Sequence, residues 1–360
     1  MNIDKLRQFL TEHALDGILL RKRNNFSWVT EGKTNSIVQT TEQGVADLIV
    51  FQDQVYIVTP EIERRRITEE ECSDLPFDVE VLSADWFEGT DGLIASVTAG
   101  KKMAADLPYE DFMVVEPELG LIRSVLGETE RESYHDLSQK AAKTLEQTCR
   151  EIRPGMTEKE IEAQLTYKLL QQGINVQVAL VATDERIYNY RHPIPTLKKL
   201  DKYAMLVVCA ERGGLVANAT RFVHFGRLSD ELKTNQLKAA EIDAVMNAAT
   251  VPGKSAGEVI KAGIEQYKRA GFPDDWKRLH QGGLTGYESR EFLADTATPH
   301  LVQRHQAYTW NPSLPGIKSE DTILVGENGN TFLTHTGDWV YQEVEVNGGI
   351  FHRPGILERE

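Results

Sequence analysis

The 360-residue chain contains 41% hydrophobic residues, enough to bury the cores of two domains. Its formal net charge of −15 at pH 7 argues against nucleic-acid phosphate as a partner. No stretch approaches the roughly 20 apolar residues of a membrane span, and the opening MNIDKLRQFLTEHALDG is typical of an amphipathic helix rather than a signal peptide. We therefore expect a cytoplasmic protein with neither a membrane nor a nucleic-acid partner.

The three cysteines, Cys72, Cys149 and Cys209, have no paired spacing. Neither a disulfide framework nor a zinc ribbon is therefore predicted, and we expect reduced thiols. Cys209 lies in an apolar run, which favours a buried small hydrophobic residue over a nucleophile.

Two parts of the chain differ in pattern. Short β-rich runs alternate with helical patterns such as residues 61–70, and the runs are 17–20, 46–51, 54–59, 79–82 and 113–115. After the acidic turn near residue 128 a long helical pattern begins, covering about 130–152. We predict a compact α/β domain over 1–128 and a second domain over 129–360.

The second part contains an internal repeat. PGMTEKEIEAQLTYKLLQQGI and PGKSAGEVIKAGIEQYKRAGF both begin Pro-Gly and place a hydroxyl residue, Thr157 or Ser255, three positions before a glutamate, Glu160 or Glu258. This spacing is a capping box, which satisfies the first amides of a helix. Each copy reaches a glycine after the same number of residues and follows a longer helical pattern. A duplicated helix-plus-sheet domain with a cleft between its halves is predicted.

Four motifs in this order resemble the creatinase, aminopeptidase P and prolidase family: YRHPIPT, VVCAERGGLVANATRFVHFG, HQGGLTGYESRE and TWNPSLPGIKSEDTILV. The resemblance covers nearly the whole chain. It implies an α+β fold, in which a creatinase-type α/β N-terminal domain precedes a C-terminal pita-bread domain with pseudo-twofold duplication.

Metal-dependent members of that family hold two divalent ions with two aspartates, a histidine and two glutamates. By resemblance, the corresponding positions here are Cys209, Asn218, Gly283, Asn311 and Glu320. Only Glu320 is a residue of the family's ligand set. A neutral amide is a poor replacement for a carboxylate beside a dication, and a glycine offers no donor. The expected cofactor is therefore none; Mn, Co or Zn held with help from Glu211, Glu288 or His280 is the alternative.

The resemblance also suggests catalytic roles for His192, His280 and Glu320. An imidazole exchanges protons near neutral pH, so His192 is suited to activate water or protonate a leaving nitrogen. A packing role in the RHPIP turn is the alternative for His192, and a capping or core hydrogen bond for His280. Glu320 is expected to orient His192 or the water.

Polar residues around the cleft are the candidate substrate ligands. They are Arg290, Asn218, Asn311, Arg221, Glu288 and Tyr287. Arg290 can bind a carboxylate or an oxyanion through its guanidinium group, or else form a salt bridge to Glu288 or Glu291. Arg221 is expected to pair with a carboxylate, with Glu320 the first choice. The glycines of HQGGLTGYESRE are expected to let the backbone bend and approach its neighbours.

Three functions remain open at this point. The favoured one is metal-independent hydrolysis of a C–N bond in a small polar or short-peptide substrate. The others are a metal-dependent Xaa-Pro aminopeptidase or dipeptidase, and a non-catalytic peptide-binding pita-bread module like that of the FACT histone chaperone. The resemblance further implies a homodimer in which RKRNNFSW reaches the neighbouring chain's pocket.

Overall fold

The computed structural model describes residues 1–327 and 329–360, which divide into two units. The first unit comprises Met1–Gly127 and Gly213–Leu215, and the second comprises Glu128–Arg212 and Val216–Glu360. Among the described residues, no helix combines the length and the apolarity that crossing a bilayer requires.

The first unit begins with the expected amphipathic helix, α1 (Asn2–Glu12), which buries Ile3, Leu6 and Leu10 on one face. The remaining helices are α2 (Arg23–Val29), α3 (Glu61–Arg66), α4 (Asp91–Thr98) and α5 (Glu116–Arg123), with a π-helical turn at Ile67–Glu71. The strands are β1 (Gly17–Lys22), β2 (Gln43–Phe51), β3 (Val55–Pro60), β4 (Glu80–Ala84), β5 (Met103–Ala105) and β6 (Met113–Val114). They form a mixed sheet in the order β4-β3-β2-β1-β5-β6, which confirms an α/β N-terminal domain.

The second unit contains α6 (Glu128–Glu151), α7 (Glu158–Leu170), α8 (Glu185–Asn189), α9 (Asp230–Ala249) and α10 (Ala256–Arg269), with a 3₁₀ turn at Asp275–Arg278. Its strands are β7 (Asn175–Thr183), β8 (Tyr203–Arg212), β9 (Leu215–Phe225), β10 (Gly282–Thr285), β11 (Phe292–Leu293), β12 (Ala307–Trp310), β13 (Ser313–Leu314), β14 (Ile317–Lys318), β15 (Asp321–Val325), β16 (Asn330–Phe332), β17 (Tyr341–Val346), β18 (Gly349–Pro354) and β19 (Ile356–Arg359). The main sheet runs β11-β10-β12-β15-β9-β8-β7. Helices α9 and α10 pack on it through a large apolar core.

Both predicted capping boxes are present. The hydroxyl of Thr157 accepts a hydrogen bond from Glu160 N at 3.1 Å, and that of Ser255 accepts one from Glu258 N at 3.2 Å. In each box the glutamate carboxylate accepts in return from the capping residue's own amide. The two helices begin directly after these caps, as the repeat predicted.

The two halves of the second unit repeat the same hydrogen bonds. Thr157 forms a β-bridge with Lys199, and Ser255 forms the corresponding one with Leu301. In the sheet, β7, β8 and β9 lie on one side and β10, β12 and β15 on the other, so β9 and β15 meet at the centre. The duplication inferred from sequence is thus confirmed in three dimensions.

Candidate active site

The central strands present one polar face to the candidate site. Side chains two apart on a strand share a face, so Asn218 and Thr220 on β9 point the same way, and Arg221 points the other way. The chain leading into β15 pairs with this stretch, because Thr220 N donates to Glu320 O at 3.1 Å and Asn218 N donates to Thr322 Oγ1 at 2.9 Å. Glu320 and Thr322 therefore belong to the same face as Asn218.

Asn218 is fully buried, and its side chain is hydrogen-bonded to two threonine hydroxyls. Its Nδ2 donates to Thr285 Oγ1 at 3.2 Å and to Thr309 Oγ1 at 3.4 Å. The Thr285 hydroxyl donates its own proton to Glu288 O, so it can only accept from the amide. This fixes the orientation of the amide. Asn218 Oδ1 is left buried without a hydrogen-bond donor among the described residues.

Asn311 presents a second unused acceptor. Its backbone N donates to Gln281 O at 3.1 Å, which holds the start of the glycine-rich motif beside it. Gln281 is in turn fixed by Tyr267, whose hydroxyl donates to Gln281 Oε1 at 2.9 Å. In the described part of the chain, nothing donates to the buried Asn311 Oδ1. Unsatisfied buried acceptors are uncommon in native proteins and each costs about 1–3 kcal/mol, so these two amides indicate a site for N–H donors.

Glu320 is the centre of the charged part of the site. One carboxylate oxygen accepts from Arg290 Nη2 at 3.0 Å, and the other accepts from Thr220 Oγ1 at 2.6 Å and lies 2.8 Å from Lys318 Nζ. Burial raises the pKa of Glu320, but the positive charges of Lys318 and Arg290 outweigh it and hold the pKa at about 2. Glu320 is therefore ionised at neutral pH, with both oxygens engaged, and is poorly suited to take a proton.

His192 and His280 form an imidazole pair next to this cluster, with ring centroids 5.6 Å apart. Burial, followed by the positive charge of Arg290, lowers the pKa of His280 to about 4. The pKa of the more exposed His192 is also lowered, first by desolvation and then by Lys318. Both rings are consequently neutral at pH 7. The buried Nδ1 of His280 has no hydrogen-bond partner among the described residues, so the expected capping or core hydrogen bond is not found on that nitrogen.

The structure shows carboxylate partners of both arginines. Arg290 pairs with Glu320. Arg221 does not pair with Glu320: it binds Glu146 Oε1 at 3.1 Å and Asp321 Oδ1 at 3.0 Å on the opposite face of the sheet.

Three candidate substrate ligands have other contacts. Arg221 is fully buried with its nitrogens bound to protein groups, including Thr334 O. The Tyr287 hydroxyl donates to Glu130 Oε1 at 2.8 Å. The backbone carbonyl of Glu288 accepts a hydrogen bond from the Thr285 hydroxyl. The geometry therefore brings together His192, His280, Glu320 and Arg290. Asn218 lies on the same sheet face as Glu320, and the backbone of Asn311 is bonded to Gln281, the residue after His280.

The side chains present do not fit two divalent ions. Asn218 already donates to two threonines, and Glu320 is neutralised by cationic side chains. A Cβ on Gly283 would lie 2.1 Å from the Phe292 carbonyl oxygen, so the backbone leaves no room for a histidine. In residues 1–327 and 329–360, no three His, Cys, Asp or Glu side chains are grouped so that they could hold a metal ion.

Two other candidate metal ligands, Glu211 and Cys209, are in settings that the protein itself explains. Glu211 Oε2 accepts from Asn175 Nδ2 at 2.8 Å. Cys209 is buried, and desolvation raises the pKa of its thiol to about 12, with the negative charge of Glu320 adding to this. A thiol with this pKa is protonated at neutral pH and is therefore a poor nucleophile.

Lys318 is the site residue that the sequence analysis missed. It is 7% exposed and lies on β14, two residues before Glu320. The local sequence PGIKSED reads as a solvated turn, because lysine is rarely buried. The sequence feature that could have identified Lys318 is its i, i+2 spacing from Glu320, because side chains two apart in an extended segment lie on the same side.

Comparison with known proteins gives the same family along the chain. Residues 132–327 match Metallopeptidase family M24, and residues 2–120 match the Creatinase/Prolidase N-terminal domain. The Xaa-Pro dipeptidase of Pyrococcus furiosus is 23% identical, covering 93% of this chain and 97% of its own. The prolidase structure from Pyrococcus horikoshii superposes with a TM-score of 0.78 at 18% identity, covering 93% of this chain and 98% of that one.

A further structural neighbour is the N-terminal domain of the FACT complex subunit SPT16 from Cicer arietinum. Its TM-score is 0.71 at 10% identity, and the match covers 94% of this chain and 96% of that chain. At such identities the structural likeness establishes the fold, while the family follows from the matched residues of the second unit. The chain belongs to Metallopeptidase family M24, with a creatinase/prolidase N-terminal domain preceding the pita-bread domain.

Proposed function

We propose that this chain hydrolyses a C–N bond of a small polar or short-peptide substrate without a metal ion. The observation that carries the proposal is the pair of neutral imidazoles, His192 and His280, beside a fixed cationic cluster where the family holds metal. A neutral imidazole can accept the proton of an attacking water. The cationic cluster supplies positive charge in a buried site, where electrostatic interactions are strong.

His192 acts in this proposal as the general base and then the general acid. It takes a proton from water as the water oxygen attacks the carbon of the C–N bond, and it passes that proton to the nitrogen as the bond breaks. Its greater exposure suits a group that exchanges protons with bound water. His280 lies beside it and offers its unpartnered Nδ1 to the water or the substrate.

Glu320 has a different role from the one expected. Because its carboxylate is engaged by Thr220, Arg290 and Lys318, it acts as a positioning residue that fixes the two cations. Asn218 and Asn311 bind the substrate through their unused Oδ1 atoms, which require N–H donors. A substrate with amide, amidine or amine N–H groups satisfies this requirement.

The first experiment counts metal per chain after exposure of the purified protein to Mn, Co and Zn followed by dialysis, and assays Xaa-Pro peptides and small amides. We expect near-zero metal, together with turnover that resists chelators and is lost in His192→Ala. The matched control is His135→Ala, at an exposed position on α6, which should retain the wild-type rate.

Two other outcomes would replace the proposal. Near two metal ions per chain with chelator-sensitive turnover would support a metal-dependent Xaa-Pro aminopeptidase or dipeptidase; the Pyrococcus furiosus relative is named an Xaa-Pro dipeptidase. Binding of peptides without turnover would support a non-catalytic peptide-binding module. The homodimer and the cytoplasmic location stay predictions, and sedimentation velocity tests the first of them.

A further inference from the structure

The sheet of the first unit has an open edge at β4. This strand (Glu80–Ala84) is the first in the order β4-β3-β2-β1-β5-β6, and among the described residues it pairs with β3 alone. An edge strand presents backbone N–H and C=O groups that no neighbouring strand uses. Lysine, proline and bulges often block such an edge, and β4 contains neither a lysine nor a proline and keeps a regular register with β3. The edge can therefore accept a further strand.

A groove of about 640 Å³ lies beside this edge. Residues 79–81 form one wall of the groove. The other wall is a single face of α3 and of the π-helical turn after it, on which residues recur at i, i+3, i+4, i+7 and i+8: Glu61, Arg64, Arg65, Thr68 and Glu69. Grooves of this kind bind extended peptides, because the strand supplies backbone hydrogen bonds and the walls of the groove receive side chains.

Two large aromatic side chains are exposed directly after β4. Trp86 is 70% exposed and Phe87 is 68% exposed, and their rings meet edge to face with centroids 5.9 Å apart. Side chains this exposed contribute little to the core of the unit. Aromatic residues are enriched in protein interfaces and among the residues that dominate binding energy. The aromatic pair therefore extends the contact surface beyond the end of the strand.

The surface around this edge is acidic. Residues 61–91 contain eleven acidic side chains and three arginines, and the arginines already pair with glutamates of α3 and the π-helical turn. In the described part of the chain no cation pairs with the acids on and beside β4, which are Asp78, Glu80, Asp85 and Glu88. Pairing with a second copy of the chain would bring two such surfaces together, which charge repulsion opposes. A basic partner is the complement that this edge favours.

We propose that the β4 edge and its groove bind an extended basic segment of a partner protein, which adds to the sheet as a further strand. Side chains alternate along β4, so Glu80 and Val81 lie on opposite faces. Val81 shares the face of Ser83, whose hydroxyl donates to Glu61 of α3, so this face is the one beside the helix. A segment that alternates lysine or arginine with aliphatic residues pairs its cations with Glu80 and packs its apolar side chains beside Val81. This inference concerns a partner and does not depend on hydrolysis.

The test uses three labelled peptides and the full chain. The probe is the amidated peptide Lys-Val-Lys-Val-Lys-Val with a neutral fluorophore at its N-terminus. Glu-Val-Glu-Val-Glu-Val reverses its charge, and Lys-Lys-Lys-Val-Val-Val keeps its charge and composition but loses the alternation. Binding is followed by fluorescence anisotropy at pH 7.5 and about 0.15 M salt, where exposed charges more than about 8 Å apart are largely screened. We expect the probe to bind at least about fivefold more tightly than either control.

Charge reversals at two exposed glutamates locate the site. Glu80→Lys should weaken binding of the probe at least about fivefold, whereas Glu118→Lys, which makes the same change in net charge on α5, should alter it by less than about twofold. Trp86→Ala should also weaken binding, because it removes half of the aromatic pair. Circular dichroism checks that each variant is folded. In the complex, the amides of residues 79–84 should exchange their hydrogens more slowly than in the free chain.

Several results would overturn the proposal. Equal binding of the three peptides, binding of none of them, or equal losses in Glu80→Lys and Glu118→Lys would mean that this edge does not recognise a basic strand. Sedimentation velocity tests the other occupant. A wild-type dimer that Trp86→Ala dissociates would assign the edge to a second copy of the chain.

Discussion

The imidazole rings of His192 and His280 lie 5.6 Å apart with their planes inclined by 37°. The two rings come from different parts of the second unit, the loop after α8 and the turn before β10. Desolvation lowers the pKa of each ring, and the positive charge of Lys318 or Arg290 lowers it further. The arrangement therefore keeps a pair of proton acceptors uncharged at neutral pH.

The pH dependence of hydrolysis follows from these lowered pKa values. A general base is active when deprotonated, so kcat/KM should be flat from about pH 7 to 8 and should fall only below the ordinary histidine pKa of about 6.5. Lys318→Met removes one of the charges that lower the His192 pKa, so the acid limb should move to higher pH. Rate profiles of wild type, Lys318→Met and the exposed-site control Lys199→Met test this.

A metal-bound water gives a different profile, because it ionises near pH 7. An acid limb centred at or above pH 7 in the wild type, or one that Lys318→Met leaves in place, would contradict the assignment of a histidine as the base.

Gly283 and Gly286 provide a matched pair for the role of the glycine-rich motif. A Cβ on Gly283 would meet the Phe292 carbonyl oxygen at 2.1 Å, whereas one on Gly286 meets its nearest atom, Glu291 Oε1, at 3.5 Å. Gly283→Ala should therefore lower the free energy of unfolding by at least about 2 kcal/mol through overpacking, and Gly286→Ala by less than about 1 kcal/mol. Urea denaturation measures both.

Restoring a histidine at position 283 should fail for the same reason. Gly283→His is expected to be unstable and to bind no more Mn, Co or Zn than the wild type. A stable Gly283→His protein that binds metal would show that β10 can shift to admit a side chain, against the geometry described above.

The ion cluster on the opposite face of the sheet predicts a large loss of stability. Asp321 is fully buried and binds Arg221 at 3.0 Å and Arg353 at 2.8 Å. Asp321→Asn leaves both arginines short of a counter-charge, which should cost about 3–5 kcal/mol of unfolding free energy. Asp274→Asn breaks only the exposed pair with Lys277 and should leave the free energy of unfolding nearly unchanged. Equal effects of the two substitutions would mean that the buried cluster is solvated.

Local features were predictable from the sequence, and tertiary contacts were less so. The capping boxes at Thr157 and Ser255 depend on residues three apart, so a short stretch determines them. Strand β5 was missed because Met103–Ala105 is too short and too low in β-branched residues to give a signal. The predicted partner of Arg221, Glu320, was wrong. Side chains alternate between the two faces along β9 and β15, which places Arg221 on the face of Asp321 and away from Glu320.

In the candidate site, too, the residue types were predictable from the sequence, whereas their tertiary contacts were not. Comparison of motifs identified Asn218 and Asn311, but their unused acceptors depend on threonines and backbone groups distant in sequence. The positive charge of the site could not be counted without Lys318, whose burial is a tertiary property. The residue types were thus available in the sequence, whereas their protonation and partners required the structure.

The cysteines give a final prediction that concerns accessibility. Cys72, Cys149 and Cys209 are all buried, and desolvation raises the pKa of each thiol to about 12. Because the thiolate is the reactive form, the native protein should react slowly with a thiol-specific disulfide reagent at pH 8, and the same protein in urea should titrate all its thiols rapidly. Substitution of Cys209 by Ser should leave hydrolysis largely intact, since the proposed mechanism does not use its sulfur. Rapid labelling of native Cys209, with loss of turnover that substrate prevents, would instead place its thiolate in the chemistry and displace His192 as the principal catalytic group.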